Sequence, residues 1–233
     1  MFTFILLQKK KIYVFGNHKG SLVIRGLVGS ISLILFFYTL QRIPLASAVT
    51  MQYLSPIFTT LLGVFIIKER VLPIQFLYFA MAFAGVLIIQ GFDPRVDPVS
   101  AVMGVTSGLA AGLAYNMIRK LKTSEHPLVI VFYFPLVTLP IASVIMFFDW
   151  VTPTGWDWLM LLWIGFCTQS AQYFMTVAYQ TGNLSRVSSL SYMSVLYALG
   201  FGYFLFGETF PIEAYLGMAL VLVGILLNLR VKH

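Results

Sequence analysis

Apolar residues run along the chain in long unbroken stretches, and the polar residues gather between them. Eight stretches, at about 23–41, 46–67, 72–91, 99–118, 127–148, 156–178, 187–206 and 211–229, are each long enough to span a bilayer as a helix. The stretches are continuous rather than alternating, which favours helices over a β-barrel. Turn signals separate them: Pro44, Pro73, Asp93-Pro94, Asp97-Pro98, Pro127, Pro153 with Gly155, Gly182-Asn183, and Pro211. The pattern predicts an all-α, polytopic transmembrane helix bundle with eight spanning helices. The opening Met1–Leu7 is apolar but too short for a signal peptide, and Lys9, Lys10 and Lys11 follow it where a cleavage site would stand. It reads as the tail of an incomplete helix.

Composition agrees. The hydrophobic share is 59% and the charged share 10%, with mean hydropathy +0.89, whereas a soluble domain carries about 25% charged residues. The net charge of +7 acts here as a topology signal. With the N-terminus inside, thirteen Lys and Arg fall on the inner segments, and only Arg42 and Arg95 fall outside. Trp150, Trp156 and Trp158 gather at the outer boundary, as interfacial aromatics do. The basic residues occupy short loops and the aromatics lie inside apolar runs, which speaks against nucleic-acid binding. The single cysteine, Cys167, lies mid-helix and precludes an intramolecular disulfide or a cysteine metal cluster. His18, His126 and His233 are scattered, and no CxxC, phosphate loop or nucleophile elbow appears. No catalytic residues, metal site or cofactor are expected, and the chain does not read as an enzyme.

An ungapped shift of 139 residues aligns the two halves of the chain. It pairs Gly26 with Gly165, Gln41 with Gln180, Tyr53 with Tyr192, Ser55 with Ser194, Gly63 with Gly202, Glu69 with Glu208, and Gly85 with Gly224. The expected organisation is therefore two helical repeats, over 1–92 and 99–233. The second holds five helices, an odd number, so the two copies enter the membrane from opposite sides, an arrangement common in secondary transporters. Helices 99–118 and 127–148 have no full partners upstream, so the first repeat is expected to hold three helices and a stub, and an intact parent ten helices.

The stretch Arg25-Gly26, Phe36-Phe37-Tyr38, Pro44-Leu45-Ala46, Tyr53-Leu54-Ser55-Pro56-Ile57-Phe58 and Lys68-Glu69-Arg70 resembles the first repeat of EamA-type proteins of the drug/metabolite transporter superfamily. The segment through Tyr192, Ser194, Gly207-Glu208 and Gly224 resembles their second repeat. The resemblance implies both termini in the cytoplasm, a place in the lipid bilayer of a bacterial inner membrane, and passage of a small-molecule metabolite through a central cavity by alternating access. The departure is the lack of the first two helices. The alternative is a truncated, non-transporting membrane fragment or scaffold that needs its missing helices or a partner chain. Oligomeric state is open.

Seven residues are candidates for substrate contact: Tyr53, Ser55, Gln169, Gln172, Tyr173, Tyr192 and Ser194. On helix 156–178, Gly165, Gln169, Gln172, Tyr173, Thr176 and Gln180 share one helical face. Polar groups are costly in lipid, so this face should look into the bundle, either as a hydrogen-bonding wall or as interhelical glue worth about 0.6 kcal/mol per bond. Tyr53, Ser55, Tyr192 and Ser194 place a polar, aromatic midsection on two repeat-related helices, and Pro56 could bare a backbone carbonyl. Tyr115 and Asn116 are weaker candidates, read as interfacial. Glu69 and Glu208, each just before a helix start, read as partners of the helix dipole. Arg25 reads as a snorkelling anchor, and Gly104, Gly108 and Gly112 as a ridge for close helix packing.

Overall fold

The computed structural model describes residues 2–43, 45–90, 97–148, 150–194, 196–197, 200, 204 and 212–231. Their regular elements are helices: α1 (Phe2–Lys9), α2 (Lys19–Arg42), α3 (Leu45–Gln52), α4 (Ser55–Ile66), α5 (Pro73–Gln90), α6 (Pro98–Lys120), α7 (Pro127–Phe148), α8 (Asp157–Thr181), α9 (Leu184–Leu190) and α10 (Ile212–Arg230). Glu208 lies outside the described residues, as does most of 195–211.

Local chemistry sets the helix starts. Pro73, Pro98 and Pro127 open α5, α6 and α7, where the missing N–H costs nothing. The Asp97 carboxylate accepts from the backbone N–H groups of Val99 and Ser100, both at 3.0 Å, and the bonds from Ser100 hold its carboxyl below the usual range. The Asn183 side chain accepts from Arg186 N at 3.3 Å and caps α9.

Among the described residues four helical segments are long and apolar enough to cross a membrane, over Lys19–Arg42, Ala48–Ile66 (the end of α3 with α4), Pro98–Lys120 and Pro127–Phe148, and shorter apolar helices cover Pro73–Ile88 and Tyr215–Arg230. The protein is an integral membrane protein. Helix α8 has the length, with 25 residues, but its polar stripe lowers its hydropathy and it is not one of the four.

The expected span 46–67 is broken between α3 and α4. Tyr53 N is shared between Val49 O and Thr50 O, and Leu54 N bonds three residues back to Met51 O, all at 3.1 Å, and Pro56 offers no N–H to the Gln52 carbonyl. The span expected at 187–206 begins the same way. After α9, Ser191 N and Tyr192 N bond to Ser188 O and Ser189 O, both at 3.2 Å. A tightened turn thus occurs at Tyr53 and again at Tyr192.

The chain forms two compact units, one from Met1–Ser30 and Met117–Gly182, the other from Ile31–Asn116 and Asn183–His233. Each unit draws on both halves of the sequence. The first holds α1, the start of α2, α7 and α8. The second holds α3, α4, α5, α9, α10 and most of α6.

In the second unit α5 packs on α10. Phe79, Ala82 and Val86 meet Val221, Ile225 and Tyr192 in a buried cluster. Glycines allow the approach: a Cβ on Gly85 would stand 2.6 Å from Gly217 O, and one on Gly224 would stand 2.9 Å from Tyr78 O. The expected glycine ridge packs as its spacing suggests. A Cβ on Gly108 would lie 3.1 Å from Met51 O, and one on Gly112 would lie 2.8 Å from Thr59 N, so the ridge receives the broken α3–α4 segment. Asn116, read as interfacial, is instead fully buried and donates to Thr59 O and Gly112 O, at 2.9 Å each.

A polar pin joins three helices of this unit. Gln75 Nε2 donates to Ser185 Oγ at 2.7 Å and to Asn228 Oδ1 at 2.8 Å, and all three residues are buried. Gln75→Leu would remove the shared donor and leave Ser185 Oγ and Asn228 Oδ1 only their mutual bond at 3.3 Å, a loss of about 0.5–1.5 kcal/mol per hydrogen bond. The variant is expected to melt several degrees below the parent in detergent, as followed by tryptophan fluorescence, and an unchanged melt would refute the pin.

Candidate functional site

The structure places the seven candidate residues in two groups, one in each unit. Tyr53, Ser55, Tyr192 and Ser194 belong to the second unit, and Gln169, Gln172 and Tyr173 belong to the first.

In the second unit the two tightened turns carry the tyrosines. Their ring centroids are 6.0 Å apart and tilted by 30°, an attractive aromatic geometry. The Tyr53 hydroxyl and Ser194 Oγ are hydrogen-bonded at 3.0 Å. Tyr192 is fully buried, and its hydroxyl has no hydrogen-bond partner among the described residues. Ser55 is also buried, and its carbonyl accepts from Thr59 Oγ1 at 2.6 Å.

Glu69 serves a helix start, as its position suggested, but not the next one in sequence. Its Oε1 accepts from Leu184 N at 3.0 Å, at the first turn of α9. A carboxylate there satisfies an otherwise orphaned N–H and faces the positive end of the helix.

In the first unit the polar face of α8 divides along its length. At the C-terminal end it acts as glue: Gln180 Nε2 donates to Glu125 O at 3.0 Å, and Arg119 Nη1 donates to Gln180 O at 3.0 Å. In the middle, Gln172 Oε1 accepts from Arg25 Nη2 at 3.0 Å. Arg25 is 2% exposed and lies 4.7 Å from the Phe134 ring centroid. It is therefore a buried cation held by an amide and an aromatic face, not the snorkelling anchor its position near a helix start suggested. Towards the N-terminal side, Gln169 and Tyr173 line a cavity of about 370 Å³ with Thr3, Leu6, Lys10, Leu128, Phe166, Ser170 and Phe174. Gln169 Nε2 reaches Thr3 Oγ1 at 3.4 Å. Beyond this point Asp157–Thr168 of α8, with Cys167 among them, is exposed.

The loops at one end of this unit are closed by Glu125. This 7%-exposed carboxylate accepts from Asn17 N at 2.5 Å and His18 N at 2.6 Å. Nearby, the Tyr133 hydroxyl donates to Phe15 O at 2.8 Å. The His126 ring is held below the usual imidazole range, first by partial burial and then by the charge of Lys10. Among the described residues no three His, Cys, Asp or Glu side chains converge as a metal site would require.

The profile of the EamA-like transporter family matches residues 1–91 and 99–230. The chain belongs to that family. An uncharacterised transporter of Helicobacter pylori is 30% identical over 228 residues, covering 93% of this chain and 75% of that protein. The pseudopaline exporter CntI of Pseudomonas aeruginosa is 27% identical over 234 residues, covering 100% of this chain and 82% of that protein. A more distant relative, the S-adenosylmethionine uptake transporter of Rickettsia prowazekii, is 20% identical over 206 residues, covering 86% of this chain and 68% of that protein. A solved crystal structure superposes with a TM-score of 0.81 at 20% identity, covering 99% of this chain and 84% of the other, so this EamA-like chain shares its fold.

EamA-like proteins are transporters rather than enzymes, so the polar side chains within the helices are groups that meet a solute or hold the bundle. Several residues of the EamA-like cavity escaped the sequence reading. Phe166, Ser170 and Phe174 sit on α8 one position along from Gly165, Gln169 and Tyr173 of the stripe, spaced i, i+4 and i+8. The same helical spacing that exposed the stripe would have found them had apolar positions been admitted. Lys10 was read only as a topology signal.

Proposed function

We propose that this EamA-like protein is a secondary transporter, gradient-driven or facilitative, that moves a small organic metabolite by alternating access. The observation that carries the reading is the ligand-sized cavity in the first unit, whose wall includes Gln169 and Tyr173 from the polar face of α8. Ligand sites combine an apolar lining with a few convergent polar groups, and this cavity has that character within a protein of a transporter family.

The two inverted repeats, over 1–92 and 99–233, supply the moving parts in this reading. The 139-residue frame that defines them pairs Tyr53 with Tyr192 and Gly85 with Gly224. These positions carry the two tightened turns and the two close approaches between α5 and α10. Irregular backbone at membrane depth is tolerated where it lines a cavity or is buried in protein, so the turns at Tyr53 and Tyr192 are the places where the backbone can bend. Both termini lie in the cytoplasm, which the bias of basic residues supports.

The test is uptake into proteoliposomes of labelled amino acids, nucleosides and S-adenosylmethionine, each tested singly. Saturable uptake of one class is expected, falling about tenfold on loss of one directed hydrogen bond, in Gln169→Ala or Tyr173→Phe, both changes in the cavity wall. Uptake equal to that of empty liposomes for every probe would overturn transport, and full uptake in both variants would overturn the site.

A further inference from the structure

The cavity of the first unit has a chemical polarity that its polar face alone does not explain. Its walls are apolar at Leu6, Leu128, Phe166 and Phe174, and the one charged residue lining it is Lys10. No carboxylate lines it among the described residues. The surrounding unit is basic: residues 1–30 and 117–182 carry eight Lys and Arg against three acidic residues. Of those three, Glu125 is engaged with Asn17 N and His18 N, Asp157 opens α8, twelve residues before Gln169, and Asp149 lies outside the described residues. His126, whose Nδ1 accepts from Leu128 N at 3.2 Å, is held below the usual imidazole range first by partial burial and then by the charge of Lys10, which sets the ammonium near the start of α7, where the wall residue Leu128 stands.

We infer that this cavity binds an amphipathic organic anion, seating its apolar part against Leu6, Leu128, Phe166 and Phe174 and its anionic group at Lys10. The volume, about 370 Å³, suits a ligand of small-metabolite size. Gln169, Ser170, Tyr173 and Thr3 supply hydrogen bonds between the two ends. The chemistry is that of a free organic anion, or equally of an anionic lipid entering by its headgroup. The inference rests on the transport reading only for the idea that the anion is cargo.

Binding of labelled decane sulfonate, compared with decanol, tests it in phosphatidylcholine nanodiscs, with empty nanodiscs subtracted. The sulfonate stays ionised at every working pH, so the pair isolates charge at constant chain length. The expected result is saturable binding of the sulfonate, about fivefold to tenfold tighter than the alcohol, which corresponds to roughly 1 kcal/mol from one partly exposed charge. Lys10→Gln should erase that difference and leave decanol unchanged. Lys9→Gln, whose residue does not line the cavity, should behave as the parent. Adding phosphatidylglycerol identifies the source: competition assigns the site to a lipid phosphate, and its absence leaves it to a soluble anion. No binding above empty nanodiscs, or a sulfonate preference that survives Lys10→Gln, overturns the inference. Saturable uptake of a metabolite alongside either result would leave the transport reading standing.

Discussion

Gly85→Leu is expected to abolish the folded, monodisperse protein in detergent, whereas Gly165→Leu should leave it intact. The two glycines differ in what stands before them. A Cβ on Gly85 would meet Gly217 O at 2.6 Å, Val221 Cγ2 at 2.8 Å and Val221 N at 2.9 Å. Two of those atoms are backbone and cannot swing aside, so α5 and α10 would have to separate. Overpacking that side chains can absorb costs about 1–3 kcal/mol, and forcing two helices apart also forfeits the contacts of Phe79, Ala82, Val221 and Ile225. A Cβ on Gly165 meets nothing within 4 Å. Size-exclusion profiles and thermal melts of the two variants decide the matter. A Gly85→Leu protein that melts like the parent would mean that α5 and α10 do not approach as described.

The second large effect belongs to Glu125. Replacing it with Ala removes an acceptor from two backbone N–H groups, at Asn17 and His18. Hydrogen bonds to a charged group contribute about 1.5–3 kcal/mol each, and water can replace part of this at Asn17 and His18, which are exposed. Loss of about 2–3 kcal/mol is expected for Glu125→Ala, with Glu125→Gln in between because its amide oxygen still accepts. Gly16 explains why the carboxylate can come so near. It has φ +58°, and a Cβ there would lie 2.6 Å from Glu125 Oε2. Limited proteolysis should then cut first within residues 10–18 in Glu125→Ala. Cleavage no faster than in the parent would show that other contacts hold this segment.

Much of the fold was legible because lipid imposes a simple rule on sequence. Continuous apolar runs bounded by Pro and Gly foretold α2, α5, α6 and α7 within a few residues, and the four-residue spacing of Gly104, Gly108 and Gly112 foretold a close packing face. The polar stripe of α8 was legible as a face, but not in its division of labour. Gln180 and Gln169 have the same chemistry and differ only in what neighbouring segments place before them. The same limit explains Arg25. Its position near a helix start suited an interfacial anchor, and its inward rotation is set by Gln172 and Phe134, which are far away in sequence. Glu69 was assigned the right physical role and the wrong helix, since its partner Leu184 lies 115 residues on. Glu125 gave no local signal, because its two donors lie more than 100 residues upstream. The breaks at Tyr53 and Tyr192 were half visible. Pro56 announced a lost N–H, while nothing in Ser188–Ser191 announced the second turn.

The single cysteine has a practical use. Cys167 is exposed on α8, one helical turn before Ser170 and two before Phe174, both on the cavity wall. A spin label or a small fluorophore coupled to the unaltered protein would therefore land at one defined point. Its mobility or emission should change when the neighbouring cavity fills, so spectroscopy of ligand occupancy can begin on the wild-type chain without first building a cysteine-free background.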